Sequence, residues 1–155
     1  MPEAALLERA IALGVANVAR GGGPFGAVVA AGERIVAEGA NRVTASCDPT
    51  AHAEIVAIRE AGRALGRFSL EGLTLYASCE PCPMCLAACY WARLDRVVFA
   101  ADRFDARAAG FDDADIYAEL ARPPDARRLP LRRVDVADRL APFAAWRDAA
   151  ARTPY

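Results

Sequence analysis

Apolar residues recur at helical spacing through the first positions of the chain, with Ala5, Leu6, Ala10, Leu13 and either Ala16 or Asn17 along one side. That pattern predicts an amphipathic helix over residues 2–20. The run Arg20-Gly21-Gly22-Gly23-Pro24 breaks it. A continuous apolar stretch over 25–30 reads as a buried strand, Ala31-Gly32-Glu33 as a hairpin turn, and 34–41 as the paired strand. A loop holding Cys47, Asp48 and Pro49 leads to a second helix over 52–65, with Gly66 as its stop. Further along, 73–78 and 96–101 read as buried strands and 82–92 as a helix starting just after Pro81. A short helix over 112–120, a weaker strand over 129–136 and a last helix over 138–152, with Pro142 in its first turns, complete the pattern. Strands alternating with helices after an opening hairpin favour a layered α/β sheet.

The chain has 155 residues, the size of one compact domain, and 55% of them are hydrophobic, which argues against disorder. No apolar run reaches the ~18 residues of a membrane span. Glu3, Glu8 and Arg9 interrupt the pattern of a signal peptide, so the expectation is a soluble, cytoplasmic protein. Every one of the 19 basic residues is Arg, and the net charge is -1. Arg127, Arg128, Arg132 and Arg133 form the one local basic cluster, and Asp125 and Asp135 flank it. A nucleic-acid partner calls for a basic excess or stripe, and this balance argues against one.

Five cysteines, four of them between Cys79 and Cys89, make a poor disulfide framework and point to metal binding or catalysis. His52-Ala53-Glu54 and Pro81-Cys82-Pro83-Met84-Cys85 together carry an H-x-E…P-C-x-x-C pattern. One imidazole (His52) and two thiolates (Cys82, Cys85) suit zinc, and three protein ligands leave a fourth position open for water. A C-x-x-C pair at a helix start gains thiolate character from the helix dipole. Glu54, locked to the metal motif, is the candidate proton carrier. On a regular helix, residues two apart point to nearly opposite faces, so His52 has to sit at the helix edge. The competing reading is a structural zinc held by Cys79, Cys82 and Cys85, which has no use for Glu54. Cys47 and Cys89 read as buried small hydrophobes rather than ligands.

At these motifs the sequence resembles the cytidine-deaminase-like superfamily and, more closely, the bacterial guanine deaminases, over nearly the whole chain. Superfamily features are P-F-G-A-V at 24–28, N-R-V at 41–43, D-P-T-A-H-A-E at 48–54 and C-E-P-C-P-M-C at 79–85. Y-W-A-R at 90–93, A-G-F-D-D at 109–113 with Ile116-Tyr117, P-F-A-A-W-R at 142–147 and the terminal Tyr155 are the narrower features. Bacterial tRNA adenosine deaminases share the first set but typically have small or aliphatic residues where Tyr90-Trp91 stands. The resemblance implies a three-layer α/β/α sandwich around a mixed five-stranded sheet. It also implies one Zn2+ per subunit, and a homodimer that exchanges a C-terminal segment of about 138–155.

The same resemblance implies hydrolysis of guanine to xanthine and ammonia. Asn41 would hydrogen-bond the base and Phe25 pack on its ring. Trp91 and Tyr155 would line or cap the pocket, with Tyr155 reaching the partner's site. Asp113 would read the guanine edge and share in proton transfer. From the residues alone, Phe25 and Trp91 fit core packing equally well, and Asp113 fits a helix N-cap. Other substrates of the superfamily (guanosine, cytosine, a triazine, tRNA adenosine) remain open, as does a non-catalytic zinc-stabilised module.

Overall fold

A computed structural model describes residues 2–155, so only Met1 of the expected 1–155 domain lies outside it. Helix α1 (Glu3–Val18) is followed by strands β1 (Gly26–Ala31) and β2 (Arg34–Ala40), a short α2 (Val43–Ser46) and α3 (Ala53–Leu65). Then come β3 (Thr74–Cys79), α4 (Pro83–Trp91), β4 (Arg96–Ala101), α5 (Arg103–Ala108), α6 (Asp113–Ala121) and α7 (Ala141–Asp148). The sheet order is β2-β1-β3-β4. β1 runs antiparallel to β2 and β3, and β4 runs parallel to β3, so the sheet is mixed.

Side chains alternate across a strand, and β1 divides its residues between two cores accordingly. Val28 and Ala30 meet Leu6 and Ala10 of α1 together with Tyr76. Ala27 and Val29 face Ala53, Ala57 and Ala61 of α3, with Leu75 and with Cys89 of α4. The result is the expected α/β/α sandwich. Both helices lie unusually close to the sheet, because each crosses a glycine. A Cβ on Gly26 would collide with the Ala10 carbonyl of α1, and one on Gly39 with the Ala53 carbonyl of α3. A fork from Arg9 to Glu38, at 2.7 and 2.8 Å, ties α1 to β2 as well.

The C-terminal part departs from expectation. No residue after Ala114 is buried, and Leu129 and Leu131 are 81% and 78% exposed. Residues 129–136, expected as a weaker final strand, join no ladder in this chain, so the sheet has four strands here rather than five. A strand exists only where a neighbour accepts its hydrogen bonds. The last helix spans 141–148 rather than 138–152. Pro142 explains its late start, since proline donates no N–H and crowds the carbonyl four residues back. Among the described residues no helix is long and apolar enough to cross a membrane.

Candidate active site

Two helix starts make the site. His52 is the N-cap of α3 and Cys82 the N-cap of α4, both in extended backbone conformation (ψ 157° and 167°). Pro83 occupies the first turn of α4, where its missing N–H costs nothing. His52 therefore stands outside the regular helix, and its side chain shares a cavity with that of Glu54. His52 Nδ1 lies 3.6 Å from Cys82 Sγ and 3.5 Å from Cys85 Sγ. Ligand atoms of His52, Cys82 and Cys85 all fall within 4.8 Å of one another, the one such cluster among the described residues. An imidazole nitrogen and two sulfurs at that spacing fit a zinc ion with one coordination position left open. Cys79 is outside the cluster, and its Sγ instead contacts the Asp102 carbonyl at 3.5 Å.

The charges follow from burial and pairing. Cys82 is pushed down to about 4, first by a hydrogen bond from Cys85 and then by His52. Cys85, the donor of that pair and itself buried, is held up. The Cys82 contact raises His52. Burial pushes Cys79 and Cys89 up to about 12, the range of inert thiols. Glu54 is 8% exposed, and burial raises its carboxyl to about 7, the poise of a group that both takes and gives a proton.

The cavity beside these groups has a volume of about 240 Å³. Phe25 packs edge-on against Phe111, ring centroids 4.7 Å apart, and both rings line the wall. Asn41 stands opposite. Its Oδ1 accepts from the Val43 N–H at 3.2 Å, and the residue lines the cavity. The Asn17 side chain, buried in α1, donates to the Gly23 carbonyl at 2.9 Å and the Asn41 carbonyl at 2.7 Å. Asp113 also lines the cavity, and burial raises its carboxyl. It is not a cap: Asp112 holds the N-cap position of α6 and makes no side-chain capping bond.

Thus His52, Glu54, Cys82, Phe25, Asn41 and Asp113 meet at one cavity. Trp91 and Tyr155 do not line it within the chain. They meet each other instead, ring centroids 5.9 Å apart and 64% and 74% exposed, beyond the far end of α4. Cys89 is buried as expected, whereas Cys47 is exposed: it ends α2 in the left-handed region (φ 51°), which turns it away from the core. Glu80, which lines the cavity, stood in the C-E-P-C-P-M-C stretch with no role assigned to it, and its partner Arg103 carries no motif. Helix α5, which holds Arg103, was signalled only by Asp102-x-x-Asp105, a reciprocal capping pair.

Comparison with known proteins comes to the same place. The family described as the cytidine and deoxycytidylate deaminase zinc-binding region matches residues 2–101. A guanine deaminase of Bacillus subtilis is 51% identical over 150 residues, 96% of each chain. The X-ray structure of guanine deaminase from Bacillus subtilis superposes with a TM-score of 0.96 at 49% identity, covering 100% of this chain and 99% of that one. A tRNA-specific adenosine deaminase of Buchnera aphidicola is 44% identical, but over 82 residues, 53% of this chain and 54% of its own.

Proposed function

The chain belongs to the cytidine and deoxycytidylate deaminase family, and from that premise we propose that it hydrolyses free guanine to xanthine and ammonia in purine catabolism or salvage. The observation that carries this reading is the reach of the likeness. Identity to a guanine deaminase extends over 96% of the chain, past residue 101 where the family region stops, and so includes the segment bearing Asp113. The likeness to tRNA-specific adenosine deaminases is lower in identity and covers 53% to 68% of the chain. A cavity of about 240 Å³ is also smaller than the ~300–1,000 Å³ of drug-sized ligand sites, and suits a bare base.

His52, Cys82 and Cys85 would hold the zinc. When bound, zinc lowers the pKa of its water from 15.7 to about 7 and so supplies a nucleophile at neutral pH. Glu54 takes the proton from the attacking water and passes it to the ring nitrogen beside C2 of the base. The C2 carbon becomes tetrahedral, Glu54 or Asp113 carries the remaining proton of the new C2 hydroxyl to the amino group, and ammonia leaves as the C2 carbonyl forms. The Asn41 Nδ2 donors hold a purine acceptor, and the Phe25 ring packs on the base. The raised carboxyl of Asp113 fits a group that meets the N–H edge of guanine and returns a proton.

The site is proposed to be shared between two subunits. A chain whose residues 129–155 expose most of their apolar side chains has surface that a second copy would cover. We read residues 138–155 as exchanged within a homodimer, bringing Tyr155 of one subunit to the cavity of the other, where Trp91 and Tyr155 line or cap the pocket. Five free cysteines support a reducing compartment, which we read as the cytoplasm. Ammonia release assayed against guanine, guanosine, cytosine, adenine and a small tRNA tests the substrate. Guanine should dominate, and a preference for any other member of the panel would overturn this reading.

A further inference from the structure

Helix α6 carries Asp113 and, one turn later on the same face, Tyr117. The Tyr117 hydroxyl donates at 2.6 Å to the carbonyl of Pro81, the residue just before Cys82. Arg103, at the start of α5, lays its guanidinium 3.6 Å over the centre of the Tyr117 ring. The same guanidinium forks onto the Glu80 carboxylate, Nε to Oε2 at 3.1 Å and Nη2 to Oε1 at 2.6 Å, while the Arg103 N–H donates to Oε2 at 3.0 Å. Glu80 and Pro81 are adjacent, so Glu80, Arg103, Tyr117 and Pro81 close a ring of contacts. That ring joins the loop entering Cys82 to the helix bearing Asp113. Among the described residues, α5 and α6 each bury a single small side chain, Ala106 and Ala114. Apolar packing that thin leaves the rotation of α6 to polar contacts; the exposed Arg107–Asp115 pair at 2.6 Å ties α6 to α5, and the ring ties it to the loop entering Cys82.

We propose that Tyr117 and Arg103 are positioning residues for the deamination, setting the Asp113 carboxyl against the base through this clasp. The inference rests on the role given to Asp113 above. Arg suits the task because its planar guanidinium stacks and forks at once, and Lys does neither. Tyr suits it because the ring carries the stack and the hydroxyl reaches the carbonyl. Loss of the Tyr117 hydroxyl frees α6 to turn or shift by a fraction of an ångström to an ångström. A displacement of that order at a reacting group costs up to ~10²-fold in rate.

The experiment is a double-mutant cycle of Tyr117→Phe with Asp113→Asn, read as kcat and KM for guanine on zinc-loaded protein, with metal content and melting temperature measured alongside. Tyr117→Phe should lower kcat between about tenfold and a hundredfold with zinc retained. In the Asp113→Asn background the same change should cost less than about twofold, because the group being positioned is already gone. Arg103→Lys should repeat the behaviour of Tyr117→Phe, and it carries the cycle if the latter fails to fold. An Asp113→Asn enzyme with full kcat overturns the role of Asp113 and the clasp with it. A crippled Asp113→Asn enzyme in which the Tyr117→Phe loss multiplies undiminished leaves Asp113 standing and overturns the clasp. Unchanged kcat in both Tyr117→Phe and Arg103→Lys overturns it too.

Discussion

The side-chain amide of Asn17 donates at 2.7 Å to the main-chain carbonyl of Asn41, joining the first helix to the end of β2 at the rim of the cavity. The same amide holds the Gly23 carbonyl on the other side of that rim, at 2.9 Å. One buried residue thus holds two chain segments whose residues line the cavity, the one carrying Asn41 and the one leading to Phe25. A side-chain amide is needed because it offers two N–H donors from a single atom.

Asn17→Ala leaves both carbonyls without that donor. Each buried acceptor so stranded costs ~1–3 kcal/mol, which a denaturant melt would register. The larger effect should fall on recognition: KM for guanine should rise more than kcat falls, since Asn41 loses its support while Glu54 and the zinc ligands keep theirs. Parallel measurement of Asn41→Ala, which should raise KM at least as much, checks that both changes act on the same contact.

Glu54→Gln should abolish turnover with zinc and fold intact. Loss of a general acid–base group usually costs ~10²–10⁴-fold, and Glu54 serves in more than one transfer. Steady-state kinetics with metal analysis decides it. A variant retaining a tenth of the normal kcat would remove Glu54 from the proton path.

Cys82→Ser or Cys85→Ser should deplete zinc in the purified protein, while Cys47→Ser, Cys89→Ala and Cys79→Ser should keep it. Cys47 is exposed, Cys89 belongs to the sheet core and Cys79 lies outside the ligand cluster. Full zinc in Cys85→Ser together with loss in Cys79→Ser would instead favour a structural site.

Deletion of residues 153–155 should cripple catalysis without unfolding, since none of the three is buried. Mixing a Glu54→Ala subunit with a tail-deleted subunit should restore part of the activity, because one site of the mixed dimer has an intact Glu54 and an intact donated tail. No recovery after demonstrated subunit mixing would return the tail to an ordinary frayed terminus.

What the sequence made legible and what it hid divide along one physical line. His52, Glu54, Cys82 and Cys85 were readable because each lies within the first turn of a helix announced by local pattern. The apolar spacing of α1 likewise named Leu6 and Ala10, although Asn17 rather than Ala16 turned out to be the buried one. Residues 129–136 misled because the apolar residues Leu129, Leu131, Val134 and Val136 suggest a strand by composition, which says nothing about its neighbour, and their period of two breaks at Arg132-Arg133. The contacts of Glu80, Arg103 and Tyr117 were hidden for a related reason, although Glu80 and Tyr117 stood in recognised stretches: the three meet only after β4 has brought distant segments together, and no spacing along the chain records that. Cys47 was misjudged as buried because composition gives no hint of the left-handed turn that exposes it.

Where Gly26 and Gly39 bring two helices down onto the strands, any larger side chain meets a carbonyl oxygen. For anyone seeking to redesign the enzyme, that contact draws a boundary. The framework that sets His52 over the sheet cannot be widened one residue at a time, so the metal and its proton carrier come as a fixed block. A wider or altered range of bases has to be sought in cavity side chains outside the metal and proton-carrying set, and Val43 and Thr44 of the short α2, with Phe111 beside Phe25, are the ones available. A library confined to those three positions samples new substrates while the chemistry stays in place.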